Sequence, residues 1–547
     1  MNRMNEEQEL PQGWVTAKLD EIMTPVRGIA FPKEVKAHAP AEGHIACLRT
    51  TNVQKNVEWG DLWFIPRQYA KRDDQIIQPL DILISTANSY ELVGKVAQVH
   101  AIPHQATLGA FISLLRVKAP FDAKFFYHYL SASATQEAIR GFASTTTNIS
   151  NVSTGKLATL DVVVPPLPEQ RRIVAKLEEL FSKLDAGVAA VRRTQALLKR
   201  YRQSVLHAAV TGELTRAWRE THPTAHAETG AALLQRIRAE RRAQWEAAQV
   251  AKRGGQLPLG EGWKSKYVEP EAVDTEGLPE LPEGWAWATS EQLCSSVASG
   301  STPKPEELFA DKGEIPFLKV YNLTKIGHLD FTNKPTFIRE QIHNGQLNRS
   351  RVNPGDVLIN IVGPPLGKVS IVPDQFPEWN INQAIVAFKA VPGYSNKFLL
   401  TSLLTETIMN WLLRTAKTTT SQVNLSVTVC RQLPLPLPSE AEQAEIVAEV
   451  ERRLTVLDAL SQTLTDELRR AERLRQSILH QAFTGRLVPQ DATDEPAAAL
   501  LARLRETAIQ PKTRKAKETP AAPAKEKKPR GRKPVDATQI DFSFTGE

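Results

Sequence analysis

Apolar side chains recur at alternating steps of four and three along residues 169–211: Ile173, Leu177, Leu180, Leu184, Gly187, Val191, Thr194, Leu198, Tyr201 and Val205. A 3.5-residue period is the seam of a coiled coil. Shifted by 273 positions, the same template falls on Ile446, Val450, Arg453, Leu457, Leu460, Leu464, Glu467, Ala471, Leu474 and Ile478 with no break in register. Where one copy is weak the other is often strong, as with Gly187 against Leu460 and Tyr201 against Leu474. The pattern predicts two long helices, about 169–211 and 440–484, each a rod of roughly 64 Å at ~1.5 Å per residue. Ser439 with Glu442 reads as a capping box, and Gly212 and Gly485 stand where a helix stops on a glycine. A rod this long with one apolar stripe needs a partner, and its own repeat supplies one.

The repetition extends well beyond the helices. "RQSVLHAAVTGELT" (202–215) returns as "RQSILHQAFTGRLV" (475–488) with nine of fourteen residues identical, and "LPQGWVTAKLDEI" (10–22) returns as "LPEGWAWATSEQL" (281–293). "IACLRTTNV" matches "IPFLKVYNL", "QPLDILIS" matches "NPGDVLIN", and "LVGKVAQV" matches "PLGKVSIV". Two copies with so long a period describe a duplicated domain pair, not a solenoid. Before each long helix, short runs such as "DILIS", "LDVVVP", "DVLINIV" and "VSIVP" read as strands, while 121–142 and 395–414 read as helices. Each half is therefore an α/β domain followed by a long helix, and the two helices are expected to pair antiparallel. The expected boundaries are an N-terminal extension (1–9), a first α/β domain (10–165), a long helix (166–215) and a helical segment with linker (216–280). A second α/β domain (281–433), a second long helix (434–488), a short helix (489–510) and a basic tail (511–547) follow.

Composition narrows the class. The chain of 547 residues exceeds what one core organises. It has no apolar run long enough for a membrane span and no signal-like N-terminus, so no membrane association is expected. Three isolated cysteines, Cys47, Cys294 and Cys430, suit a reducing cytoplasm and argue against a zinc cluster. The net charge of +7 is local: residues 511–533 hold ten Lys/Arg against two Glu, which leaves the other 524 residues at −1. A polyanion would meet patches on the body, not a uniformly basic surface.

Catalytic motifs are missing. "GPPLGKVS" (363–370) is one residue too short for a phosphate loop and lacks the Ser/Thr that meets magnesium. No G-x-G-x-x-G opens a helix after a strand, and no N/D-P-P-F/Y tetrapeptide occurs. His207 and His480 recur at equivalent positions without a second ligand four residues on, which favours packing or capping at a helix end over metal binding. The chain is expected to be catalytically inert by itself, with no metal of its own.

Two variable α/β domains, each opened by "LPxGW", closed by "PLPEQ" or its variant, and followed by a long helix ending "RQSxLHxAxTGxL", resemble the specificity subunits of type I restriction–modification enzymes. "FLKVYN", "GDVLIN", "LGKVSIV" and "NQA" in the second half are similar to that family's target recognition domains. The resemblance covers roughly residues 10–505. It implies that each α/β domain reads one half of a bipartite, asymmetric duplex DNA site, while an antiparallel coiled coil fixes the gap. It also implies two methyltransferase and two restriction (motor–nuclease) subunits as partners, which would carry S-adenosylmethionine, ATP and Mg; no cofactor is expected in this chain. A stand-alone bipartite regulator is the alternative, and a chain that is itself a methyltransferase is a third reading.

Base and phosphate contacts are expected from polar and basic residues of the turn-rich loops. In the first domain these are Arg49, Thr50, Thr51, Asn52, Asn88, Ser89, Tyr90 and Lys95, with Thr145, Thr146 and Asn148 of the loop from Ser144 to Asn148. In the second they are Lys319, Tyr321, Asn322, Gly363, Lys368, Lys417, Ser421 and Gln422. Lys95 and Lys368 share one slot of the repeat, which favours a phosphate role; Asn52 and Asn322 share another, where an Asn also caps turns. In the tail, "KPRGRKP" (528–534) with Arg530, Gly531 and Arg532 is similar to an AT-hook. The intervening Lys533 favours a generic polybasic arm, adding salt-dependent affinity without sequence information.

Overall fold

A computed structural model describes residues 10–146, 149–223, 228–254, 256, 260, 262–363, 365–415, 417–418 and 423–509. The chain divides into two compact units, Met1–Leu177 with Ile478–Glu547, and Glu178–Ser477. The first unit is therefore built from both ends of the sequence.

In the first unit an antiparallel sheet orders Met23–Arg27, Ile112–Val117, Ile82–Ser85 and Val96–Gln98. Ile82–Ser85 is buried along its whole length, as an unbroken apolar run with a neighbour on each edge requires. Trp63–Pro66, His44–Leu48 and Ala106–Leu108 form a second sheet, and Val15–Lys18 pairs with Asp161–Val164. Val26, Leu48, Leu83, Leu108 and Leu114 are among the residues of the core cluster. The run 121–142, predicted as one helix, forms two, Ala123–Ser131 and Ser133–Gly141, because Ala132 is extended and the Gln136 amide donates to Leu130 O at 2.6 Å.

The second unit repeats the four-stranded sheet and the opening strand pair, but its other sheet has five strands, Phe309–Ala310, Thr336–Ile338, Ile315–Leu318, Trp379–Ile381 and Arg351–Val352, where the first unit has three. Cys294–Ser299, Ile385–Ala390, Val357–Asn360 and Val369–Ile371 make the equivalent four-stranded sheet, and Ala286–Thr289 pairs with Pro434–Leu437. The run 395–414 is likewise broken into Asn396–Leu403 and Glu406–Arg414, the second capped by Thr405 Oγ1. In both units a glycine seats the first strand against a crossing segment. A Cβ on Gly28 would lie 2.1 Å from Gly109 O, and one on Gly300 would lie 2.0 Å from Ile381 O. Alanine at either position is expected to destabilise its own domain by about 1–3 kcal/mol or more, because a backbone carbonyl cannot swing aside as a side chain does. Urea unfolding of the two variants checks this, and an unchanged midpoint would show that the strand yields.

The long helices run Leu167–Val210 and Glu440–Phe483 and are called the first and second arms below. Within the second unit they pair antiparallel. Arg202 of the first arm bonds Asp458 of the second, and Arg475 of the second bonds Asp185 of the first. The two ion pairs are each other's repeat equivalents and their residue numbers add to the same total, 660, so a local two-fold axis crosses the arms beside Arg193–Thr194 and Asp466–Glu467. The Arg475 guanidinium also stacks 4.2 Å from the Phe181 ring centroid.

The observed seam differs from the sequence reading at alternate positions. Gly187, Thr194, Tyr201, Leu460, Glu467 and Leu474 are exposed, whereas Val188, Gln195, Arg202, Leu468 and Arg475, one residue further on, are half-buried. Steps of four and three share one position per heptad whichever step comes first, here Leu184, Val191, Leu198 and Val205, so periodicity alone left the phase of the others open. The exposed aliphatic tips misled the reading, while arginines whose charges are met by aspartates on the facing arm occupy the true seam.

Candidate nucleic-acid interface

Three duplicated motifs prove to be fasteners for the α/β domains. Trp14 Nε1 donates to Glu169 Oε2 at 2.9 Å, and Trp285 Nε1 donates to Glu442 Oε2 at 2.8 Å. The neighbouring glutamines do the same for backbone: Gln170 Oε1 accepts from Asp122 N at 3.0 Å, and Gln443 Oε1 accepts from Ser395 N at 2.7 Å. At the other end of each arm, Gly212 (φ +71°) and Gly485 (φ +70°) turn the chain in the left-handed region that glycine favours. Each turn lies against the proline of an "LP" opening: a Cβ on Gly212 would fall 2.4 Å from Pro282 Cγ, and one on Gly485 would fall 2.4 Å from Pro11 Cγ. In the second unit the core cluster joins Val205, Leu206 and Ala209 from the end of the first arm with Ile446 and Val450 from the start of the second. In the first, Phe483 near the end of the second arm meets Phe125 and Tyr129 edge-on at 5.4 and 5.2 Å.

The fasteners are not electrostatically equal. Glu442 is 1 % exposed and receives Thr215 Oγ1 at 2.7 Å and the guanidinium of Arg219. Glu169 is equally buried, but its Oε1 has no partner, and burial pushes its carboxyl above the usual value.

The residues proposed for DNA contact fall into two kinds. Asn52 and Asn322 are buried and spent on their own turns. Asn52 Nδ2 donates to Glu58 O and Gly60 O at 2.9 and 3.0 Å, and Asn322 Nδ2 to Asp330 O and Asn333 O at 3.0 and 2.9 Å. Their Oδ1 atoms accept the backbone N–H groups of Arg49 and Lys319. The paired lysines tie a neighbouring loop to this turn, Lys95 through the Gln54 amide and Lys368 through Val320 O at 3.1 Å. Arg49 is held by Asp61 and stacks 4.6 Å from the Trp63 ring centroid, and Tyr321 Oη donates to Lys334 O at 3.2 Å. Thr50 and Thr51 belong to the turn that Asn52 closes. These groups build a rigid shelf.

The second kind is accessible. Tyr90 is 54 % exposed, and Ser144–Thr146, wholly exposed, pairs with Ile149–Asn151, which pairs in turn with Ala87–Asn88. Asn88 Nδ2 donates to Ser85 Oγ at 3.3 Å, its Oδ1 accepts Ser89 N at 2.9 Å, and Thr145 Oγ1 meets Ser150 Oγ at 2.9 Å. In the second unit Val362–Gly363, Val423–Asn424 and Lys417–Thr418 make the matching small sheet. Asn148, Ser421 and Gln422, the side chain of Lys417, and Arg530, Gly531 and Arg532 of the tail lie outside the described residues. The sequence reading missed Phe111, Leu92 and Ile149, which are 62 %, 44 % and 50 % exposed around the same loops. Apolar tips among polar loops are the wedges and stacking groups of many nucleic-acid binders, but no periodicity marks them in a sequence.

Among the described residues no group of three or more His, Cys, Asp or Glu could hold a metal ion, and no helix is long and apolar enough to cross a membrane. Burial pushes the Cys47 and Cys430 thiols up to about 12, far from the thiolate a nucleophile needs.

The family model for the type I restriction modification DNA specificity domain matches twice, over residues 11–189 and 282–470. The chain belongs to this family. Each match spans an α/β domain and the first half or more of the arm that follows it. Members similar over nearly the whole chain include the type I restriction enzyme EcoKI specificity subunit of Escherichia coli (strain K12), 27% identical over 520 residues, covering 91% of this chain and 96% of that one. The StySPI specificity subunit of Salmonella potsdam is 26% identical over 519 residues with the same coverage. A solved chain from a study of complex assembly and conformational transition of the type I R-M system shares the fold, with a TM-score of 0.58 at 17% identity, over 88% of this chain and all of that one. Tandem α/β domains with long helices packed together are thus the architecture of a type I specificity-family protein, as the duplicated sequence indicates.

Proposed function

We propose that this chain is the DNA-sequence-specificity subunit of a type I restriction–modification complex and carries no catalysis itself. Each α/β domain reads one half of a bipartite, asymmetric duplex site, and the arms set the unread gap between the halves. Two methyltransferase subunits dock on the arms, and two restriction subunits join them. S-adenosylmethionine, ATP and Mg belong to those partners, and the complex works in the cytoplasm.

The observation that carries this reading is the pair of symmetry-related ion pairs, Arg202–Asp458 and Arg475–Asp185, which lock the arms at one register. A ruler must not slip, whereas a simple linker has no need of a fixed register. Two covalently joined, divergent halves suit a duplex backbone with its own approximate dyad, without requiring a palindrome. Docking on the arms is supported by their outward face, where Leu197, Tyr201, Val456 and Leu460 are 46–58 % exposed. Apolar groups so exposed and so close in register mark an interaction surface. The equivalent slots of the repeat hold Arg470, Leu474, Lys183 and Gly187, so the two docking faces differ in character.

Co-expression with a methyltransferase subunit, followed by modification-sensitive sequencing of the host DNA, tests the reading. A single bipartite motif should be methylated, and replacing residues 10–165 with the domain of another family member should change one half of that motif and leave the other half intact. A chain that forms no complex yet binds one site tightly alone would instead be a regulator.

A further inference from the structure

The first α/β domain holds a recess of about 290 Å³ whose chemistry is that of an anion seat. Arg27 and Ser113 are direct cross-strand partners in the main sheet, so their side chains share one face. Ser113 is 1 % exposed, lines the recess, and its Oγ has no hydrogen-bond partner. A buried hydroxyl left unmatched is a standing cost unless something outside the chain meets it. Thr86, Ser144 and Thr154 add hydroxyls to the lining, and no carboxylate is among the lining residues. At the rim stands Phe111, 62 % exposed, on a backbone that cannot drift: its carbonyl accepts Thr86 N at 2.9 Å and Ala87 N at 3.3 Å. The recess therefore joins one guanidinium, several hydroxyls and a fixed aromatic face beside the paired strands Ser144–Thr146 and Ile149–Asn151.

The second domain has the same backbone there without the chemistry. Its cross-strand pair is Ser299 with Val386, and Ala384 stands where Phe111 does, its carbonyl accepting Ile361 N at 2.9 Å. Arginine, hydroxyl and ring are replaced together, as expected if they serve one ligand.

We propose that this recess seats one backbone phosphate of the half-site read by the first domain, with Arg27 and the hydroxyls as donors and Phe111 against the adjoining nucleotide. The inference rests on the reading of the chain as a DNA-specificity subunit and adds a contact private to one half. A phosphate fits better than a base edge, because Arg27 and the free hydroxyl at Ser113 offer donors to an anion and no carboxylate in the lining repels it.

The test uses the assembled complex and the duplex it modifies, with the phosphates of the first half-site replaced one at a time by neutral methylphosphonates. The wild-type complex is expected to lose about tenfold in affinity at one position. Arg27→Ala should lose about as much on unmodified DNA, nothing further at that position, and about one unit of salt slope. Phe111→Ala should weaken the same half-site, and Ser299→Ala should change nothing. An Arg27→Ala complex that binds like wild type, or that keeps full sensitivity at every methylphosphonate, overturns the proposal. A wild-type complex with no specific duplex at all would instead overturn the proposed function.

Discussion

Glu442→Ala is expected to destabilise the second unit by about 3 kcal/mol or more, while Glu169→Gln leaves the first unit as stable as before or more so at neutral pH. The two residues occupy one slot of the repeat and make the same bond to a tryptophan. Glu442, however, also receives the Arg219 guanidinium and Thr215, all largely out of water, so removing it takes the carboxylate away from a mostly buried cation. Losing one side of a buried pair is far worse than never having it. Glu169 faces no such cation on its free oxygen, and burial raises its pKa above the ordinary 4.5. A carboxyl with a raised folded-state pKa favours the protonated native form. Its contribution is complete at acid pH and is lost as pH climbs from about 4.5 through the raised value. Glutamine keeps the acceptor for Trp14 and removes the charge, so its advantage should grow from pH 5 to pH 8. Calorimetric melts of both variants at the two pH values settle the matter. Equal losses in both would mean that the fasteners are equivalent after all.

Removing residues 190–196 together with 463–469 should shorten the gap in the modified site, whereas removing either segment alone should disable the complex. The matched deletion takes one heptad, about 10 Å of helix, from each arm. It leaves Asp185, Arg202, Asp458 and Arg475 able to re-form both ion pairs. A one-sided deletion satisfies one pair at the expense of the other and slides every apolar contact beyond the cut, which should lower the melting temperature by several degrees. Sequencing of modified DNA reports the gap directly. A one-sided deletion that shortens the gap and retains full modification would mean that the register is soft.

Much of this molecule was legible in its sequence because duplication prints the same physics twice. The long helices, their glycine stops and the strands at Ile82–Ser85 and Val357–Asn360 follow from periodicity and local chemistry. What escaped was decided by partners distant in the chain. That Trp14 answers Glu169, or that Gly485 rests on Pro11, needs the folded chain, since those residues lie far apart in sequence. The phase of the arm seam was open for a related reason: whether Tyr201 or Arg202 faces inward depends on the aspartate waiting on the other arm. Asn52 and Asn322 illustrate the reverse trap, a recurring polar residue that serves its own turn. Phe111 carried no local signal, because an exposed ring and a core ring are the same letter until the sheet around them is known.

The contact of Gly485 with Pro11 bears on how the molecule comes into being. In the second unit the equivalent turn closes on a nearby stretch of chain, Gly212 on Pro282. The first unit takes its last pieces, Phe483, Gly485 and Asp494 (which pairs with Arg172 at 2.7 Å), from the far end of the chain. A ribosome delivers the first α/β domain early and its closing segment only after the whole second unit. The domain made first is thus finished last, and until then it must keep open the apolar ground around Phe125 that the second arm will cover.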